Sequence, residues 1–241
     1  MYKRLPLAKG QVKQTMLEST VMQASEVTAG QIGAMYAIME SYYGNTSRTV
    51  FADDLRKKKD VVLLLDGHGD IRGFTTLAVY PYDAQTQLLY SGDTIVEKEY
   101  WGAHDMSQVW LNNAMPYAEG FGGATYWFLL SKGYKTYKYL TTFFHEYYPR
   151  VDTETPGRIQ LIMDSFARRQ YGEKYRDGVW AAGNDYLRGE YDRTREAAQK
   201  DRNAAFFLEK NPGYASGNEL ICLCEISLGN LNRFGRRILG R

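Results

Sequence analysis

The sequence predicts an α+β fold: a mixed, mostly antiparallel central sheet flanked by helices, followed by a helical C-terminal extension. Three observations lead there. Apolar residues recur at helical spacing up to about residue 45 and at strand spacing from Val61 onward. Three β-rich runs then follow one another with turn signals between them, the pattern of a meander. After the meander, strand and helix patterns alternate, giving half of a βαβ unit.

Thr15–Met22 suits a short strand. Thr28-Ala-Gly-Gln31 has capping-box spacing and is followed by Ile32, Met35, Tyr36, Met39 and Tyr43, so a helix is predicted over 28–43 and ended by Gly44-Asn45. Phe51–Lys59 reads as a second short helix, with Arg56-Lys57-Lys58-Lys59 as its solvated end. Val61–Leu65 and Ile71–Val79 flank the turn Asp66–Asp70 and form a hairpin, and Thr86–Val96 is the third strand. A helix over 103–118 carries Met106, Val109, Trp110 and Tyr117 on one face and is broken by Gly120, Gly122 and Gly123. Ala124–Leu130 is a buried-type strand with Ser131-Lys132-Gly133 as its exit turn. Tyr137, Leu140, Thr141, Phe144 and Tyr148 then give a helical stripe that stops before Pro149.

Beyond Pro156 the composition shifts. A helix is predicted over 157–170, a polar Arg-rich loop with an exposed helix over 168–203, a turn at Asn211-Pro212-Gly213, and a strand covered on both faces at Leu220–Ile226. The expected organisation is a core over 1–156, a helical or irregular extension over 157–217, and a late strand with a basic tail over 218–241.

Composition narrows the class of function. With 241 residues, 44% hydrophobic and 24% charged, the chain can build a full core. Lys+Arg 30 against Asp+Glu 28 leaves a net charge of +2, which argues against a dedicated nucleic-acid binder. No apolar run approaches the roughly 18 residues that cross a bilayer, and MYKRLPLAKG lacks the apolar stretch of a secretory signal. Cys222 and Cys224 are too close for an ordinary disulfide; both thiols point to one face of a strand and suit core packing in a reducing compartment. A cytoplasmic globular protein is expected. The 20 Tyr, 10 Phe and 4 Trp suit a cleft that is partly apolar and partly hydrogen-bonding. His68, His104 and His145 are scattered without ligand spacing, so no metal site is expected. Serine-hydrolase and phosphate-loop motifs are absent from the sequence.

The order helix, helix, three strands, helix, strand, helix, with a late strand, resembles the GNAT superfamily of acyl-CoA N-acyltransferases. The resemblance is carried by VVLLLDGHGDIRGFTTLAV, TQLLYSGDTIVEKEYWG and YWFLLSKGYKTYKYLTTFFHEYYP, and covers about 27–150 and 218–228. It implies transfer of an acyl group from a coenzyme A (CoA) or carrier-protein thioester to a small-molecule amine. In that family a glycine-rich turn between the fourth strand and the next helix holds the CoA pyrophosphate on backbone N–H groups. The matching stretch here, Glu97 to Asp105, keeps one glycine. The resemblance places the phosphate cradle at Gly102-Ala103, with Lys98 and Trp101 beside it. The amine must lose a proton, and Glu97, Glu99 or His104 at the strand end are candidates for the base. Glu97 and Glu99, alternating about Lys98, are expected on one strand face. A tyrosine after the fifth strand would protonate the departing thiolate, with Tyr139 and Tyr147 off the apolar stripe as candidates. Aromatic residues over 126–148 suggest a slot for an acyl chain longer than acetyl. The basic tail, 233–241, suits an acidic carrier protein or an anionic membrane surface. The competing class is a protein of this fold that senses a ligand or docks a partner without turnover.

Overall fold

The computed structural model describes residues 17–101, 106–181 and 185–240. Strand β1 (Glu18–Gln23) leads into helix α1 (Ala29–Tyr42). The capping box is formed: the Thr28 hydroxyl accepts the Gln31 N–H, and the Thr28 N–H donates to the Gln31 carboxamide at 2.9 Å. A two-residue strand β2 (Tyr43–Gly44) follows, and Ser47 caps α2 (Arg48–Leu55). The meander is β3 (Asp60–Leu65), β4 (Ile71–Asp83) and β5 (Thr86–Val96). Next come α3 (Met106–Phe121), β6 (Ala124–Ser131) and α4 (Tyr134–Phe143). The extension holds α5 (Gly157–Tyr171), short strands β7 (Tyr175–Arg176), β8 (Val179–Trp180) and β9 (Tyr186–Leu187), and helices α6 (Thr194–Ala198) and α7 (Arg202–Lys210). Strand β10 (Glu219–Glu225) and helix α8 (Arg233–Ile238) complete the described chain.

Eight strands form one sheet in the order β1-β3-β4-β5-β6-β10-β8-β7, and β2 pairs separately with β9. Within the large sheet β5 and β6 are parallel, and every other neighbouring pair is antiparallel. The sheet is therefore mixed and mostly antiparallel, as the sequence predicts. Strand alternation divides the core between its two faces. Leu77, Leu89, Trp127 and Leu129 on one face pack with Trp110 of α3, Leu140 of α4 and Phe207 of α7. On the other face Val61, Leu63 and Phe74 meet α1 and α2, while Leu88, Phe128 and Ile221 meet α5. Cys222 and Cys224 lie in the first cluster, and burial pushes the Cys222 thiol up to about 12.

Several boundaries differ from expectation, each for a physical reason. Helix α2 starts at Arg48 because Ser47 supplies a cap, and it ends at Leu55. Arg56–Lys59 is thus a connection into β3, and the Lys58 side chain is 2% exposed instead of solvated. Strand β4 continues through Pro81 to Asp83: β3 pairs with β4 only as far as Leu77, so the missing proline N–H falls on an unpaired edge. Helix α4 stops at Phe143, not Tyr148. Pro149 disfavours helical backbone in the residue before it, and Tyr148 instead exchanges two backbone hydrogen bonds with Leu223, each 2.8 Å. Tyr147 and Tyr148 consequently lie beyond the helix. The segment read as polar loop contributes β7 and β8 to the sheet, and α7 buries Ala204 and Phe207 completely. The tail forms α8, docked on α4, where a Cβ on Gly235 would come within 2.6 Å of the Phe143 carbonyl oxygen.

Because Phe207 of the extension sits in the same cluster as α3 and α4, the extension and the sheet are expected to unfold together. Phe207→Ala should cost about 3–5 kcal/mol and keep a single urea transition; a separate transition for the extension would contradict this.

Candidate active site

The parallel pair β5/β6 is registered from Thr86↔Ala124 to Ser91↔Leu129 and no further. Past that point β5 follows β4 to Val96, and β6 follows β10 to Ser131. The two strands part, leaving a wedge at their C-terminal ends. A bulge coincides with the parting: Leu77 faces Ser91 and Thr75 faces Thr94, so β5 holds one residue more than β4 around Gly92-Asp93. On the α3/α4 face the wedge is floored by Ser91, whose hydroxyl accepts the Trp127 indole N–H at 2.7 Å. Trp127 stacks on Trp110 with ring centroids 3.8 Å apart.

The opposite face carries the ionisable groups. Lys132, just past β6, is 2.5 Å from Asp185 and 3.4 Å from Glu219, with side chains 13, 22 and 12% exposed. Its ammonium lies 5.3 Å from the centre of the Tyr43 ring. Lys58 pairs with Asp54 at 2.7 Å and sits 4.4 Å over the Tyr90 ring. Asp93, half-buried on the bulge, lies in the field of both lysines and of Asp54 and Asp185. Gly92 makes this packing possible, since a Cβ there would meet the Thr76 hydroxyl at 2.5 Å and Lys58 Cε at 2.9 Å. The Thr76 hydroxyl beneath is buried without a hydrogen-bond partner among the described residues.

The charges perturb one another. Burial lifts the Asp93 carboxyl above its ordinary range; Lys58 opposes the rise and Asp54 adds to it. Glu219 is raised by burial, with Lys132 opposing. Burial works against the Lys132 ammonium, yet Glu219 and Asp185 outweigh it and hold the group above its usual value. Burial also pushes the Tyr43 hydroxyl up to about 12, against the pull of Lys132. Four carboxylates thus share the site with two ammonium groups, an environment suited to a further cation.

The extension covers one end of the wedge. β9 pairs with β2, placing Leu187 opposite Tyr43. Tyr191 packs 4.5 Å from Tyr42 and edge-on to Trp101, and the Thr194 hydroxyl accepts the N–H of Tyr134 at the start of α4. Across the same opening, the Lys135 ammonium lies 3.5 Å over the Trp101 ring.

The residues singled out in the sequence are placed as follows. Glu97 through Trp101 turns away from the strand: Lys98–Tyr100 is a 3-10 turn, so Glu97 and Glu99 do not alternate on one strand face. The Glu97 carboxylate is 3.5 Å from Arg72, which also binds Asp66 and Asp70 at the hairpin turn. Burial raises Glu97, and Arg72 opposes. Glu99 and the Lys98 side chain are exposed, and the Lys98 N–H donates to the Tyr42 hydroxyl. The Trp101 indole donates to the Val96 carbonyl at 2.8 Å. Gly102, Ala103 and His104 lie outside the described residues. Tyr139, on α4, is half-buried against Phe143. Tyr147 is buried edge-on to Tyr137, and burial raises its hydroxyl. The aromatic side chains Trp127, Phe128, Tyr137 and Phe144, read as lining a slot, are buried in the two core clusters.

Asp93, Lys132, Lys58, Asp185 and Glu219 were not singled out in the sequence. A signal for Asp93 exists, because glycine inside the run Thr86–Val96 marks a bulge, and bulges re-aim their neighbours. Asp185 and Glu219 have no local signal. Among the described residues no group of His, Cys, Asp and Glu forms a metal-ion site, and no helix is long and apolar enough to cross a membrane.

No family model and no curated protein matches the chain. Solved structures similar to it include GNAT-family acetyltransferases. One from Escherichia coli in complex with CoA is 14% identical, with 57% of this chain and 71% of the other covered, at a TM-score of 0.37. An acetyltransferase of Trypanosoma brucei is 16% identical over 58% of this chain and 99% of its own, at 0.40. An aminoglycoside 6′-N-acetyltransferase complexed with coenzyme A is 10% identical over 86% and 97%, also at 0.40.

Lys132→Met should leave Asp185 and Glu219 without their shared cation and cost about 3 kcal/mol at pH 8. The loss should shrink as pH falls through the raised pKa of Glu219, since a carboxyl protonated in the folded state no longer bears unpaired charge. Urea denaturation at pH 5 and pH 8 checks this; an equal loss at both values would contradict it.

Proposed function

We propose that this protein is an N-acyltransferase, moving an acyl group directly from a thioester to a small-molecule amine within the wedge between β5 and β6. The observation that carries the reading is the carboxylate of Asp93, held on a bulge where the two strands part. On one side, the β5 edge past Ser91 has no β6 partner, so its backbone groups suit pairing with the amides of a pantetheine arm, as an added strand would. Trp101, beside Lys135, and Lys98 border that side. On the other side, the excess of carboxylates and the rings of Tyr43 and Tyr90 suit a cationic amine.

Asp93 takes the first proton from the bound ammonium, freeing the lone pair with which nitrogen attacks the thioester carbonyl, and a raised pKa brings this base closer to neutrality. The C–N bond forms, the tetrahedral intermediate collapses, and the C–S bond breaks. The departing thiolate takes a proton from a tyrosine hydroxyl, for which Tyr139 and Tyr147 are the candidates, and the second proton, lost from nitrogen as the amide forms, restores that tyrosine. The rate comes chiefly from holding the reactants together in a site shielded by the extension. The packed rings over 126–148 favour a short acyl group over a long one.

Release of free thiol from a panel of acyl-CoAs and acyl-carrier-protein thioesters, with amine acceptors, tests the reading. Asp93→Asn should lower kcat by about 100-fold or more and leave donor binding unchanged. It should also abolish the fall in rate on the acid side, since only the carboxylate form accepts the proton. Glu97→Gln and Glu99→Gln should retain the wild-type profile. A donor that binds without thiol release in any combination would instead identify a sensing protein.

A further inference from the structure

On the thioester-donor reading above, the donor's anionic end needs a holder other than the stretch Glu97 to Asp105, which has one glycine. Helix α8 supplies an answer. It docks against the end of α4: Asn232 accepts from the Phe234 and Gly235 N–H groups, donates its own backbone N–H to the Phe143 carbonyl at 2.9 Å, and donates its carboxamide N–H to the Thr142 carbonyl at 2.8 Å. At its other end, Gln108 in the first turn of α3 donates to the Ile238 carbonyl at 2.8 Å. Helix α8 therefore bridges from α4 to the start of α3, the end that receives the connection from β5.

A groove of about 680 Å³ opens along α8, lined by His145, Leu231, Arg233, Arg236, Arg237 and Gly240. The volume falls within the range of small-molecule sites. No carboxylate lines it among the described residues, and none of the three arginines has an acidic partner among them. The Arg236 guanidinium is anchored by donating to the Leu231 carbonyl at 3.1 Å. Three guanidinium groups on one short helix repel one another and are strongly favoured by a multivalent anion, which they bind through paired N–H donors.

We propose that this groove binds the phosphates of a nucleotide-bearing thioester donor, with Arg233, Arg236 and Arg237 taking the role that the glycine-poor turn does not fill. A groove of this size fits a nucleotide better than the broad face of a carrier protein, and its Gly240 end lies two residues from the Ile238 carbonyl that binds Gln108 of α3.

The test is titration calorimetry of the full chain with CoA, 3′-dephospho-CoA and pantetheine, comparing wild type with an R233Q/R237Q variant. Both positions are exposed, so folding is preserved, which a thermal melt verifies. R236Q serves as a second variant, and R56Q, just past α2, as a control for charge alone. CoA affinity should fall by about tenfold or more in R233Q/R237Q, be unchanged in R56Q, and weaken stepwise as phosphates are removed from the ligand. Pantetheine should bind both proteins alike. Equal CoA affinity in variant and wild type overturns the proposal, as does wild-type protein that binds no CoA. So does an arginine-dependent affinity seen only with anionic vesicles or an acyl carrier protein. Turnover of the same acyl-CoA panel with amine acceptors separates the two readings: if no thiol is released while arginine-dependent CoA binding persists, the transfer reading falls and the phosphate site stands.

Discussion

A parallel strand pair that stops short dominates this molecule. β5 and β6 share hydrogen bonds only up to Ser91 and Leu129, after which each keeps its antiparallel neighbour and loses the other. Backbone groups left unpaired inside a fold are costly unless water or a ligand satisfies them. The bulge at Gly92-Asp93 accommodates the divergence by adding a residue to β5, and in doing so it re-aims the side chains beyond it. Thr94 then returns to the face of Thr75, where the two hydroxyls meet at 2.7 Å, while Asp93 is left at the opening.

The charged groups around that opening are held together by parts of the chain far apart in sequence. Lys132 leaves β6, Glu219 opens β10, and Asp185 belongs to the extension. Taking three such charges out of water is expensive, and their mutual attraction offsets much of that cost only while all are in place. The extension is thus more than an appendage: it brings a carboxylate to Lys132, pairs β9 with β2, and accepts the first N–H of α4 through Thr194. On the same grounds, the sheet without the extension would leave Lys132 with Glu219 alone.

The architecture was legible where local rules suffice. The capping box at Thr28-Gln31, the hairpin turn at Asp66, and the meander of apolar runs all act through neighbours in sequence. What was not legible depended on partners far along the chain. Helix α4 ends at Phe143 because the edge of β10, far downstream in sequence, has backbone groups that pair with Tyr148 at Leu223. Lys58 reads as one of four basic surface residues, yet Asp54 and the ring of Tyr90 bury it. The site was half visible: a glycine followed by an aspartate inside an apolar strand marks Asp93, whereas nothing near Asp185 or Glu219 ties them to Lys132.

Charge is segregated in this nearly neutral chain. The net charge of +2 conceals a wedge whose α1/α2 side holds four carboxylates against two lysines, and a groove beside α8 that holds three arginines with no carboxylate among its lining residues. A reaction between a polyanionic donor and a cationic acceptor benefits from such a division, because each reactant is attracted to one mouth and repelled from the other. On the acyl-transfer reading proposed above, discrimination of this kind acts before any pocket is filled and orients each substrate as it enters. The net charge hides this division, because the three arginines of α8 and the carboxylate excess at the wedge offset one another in the total.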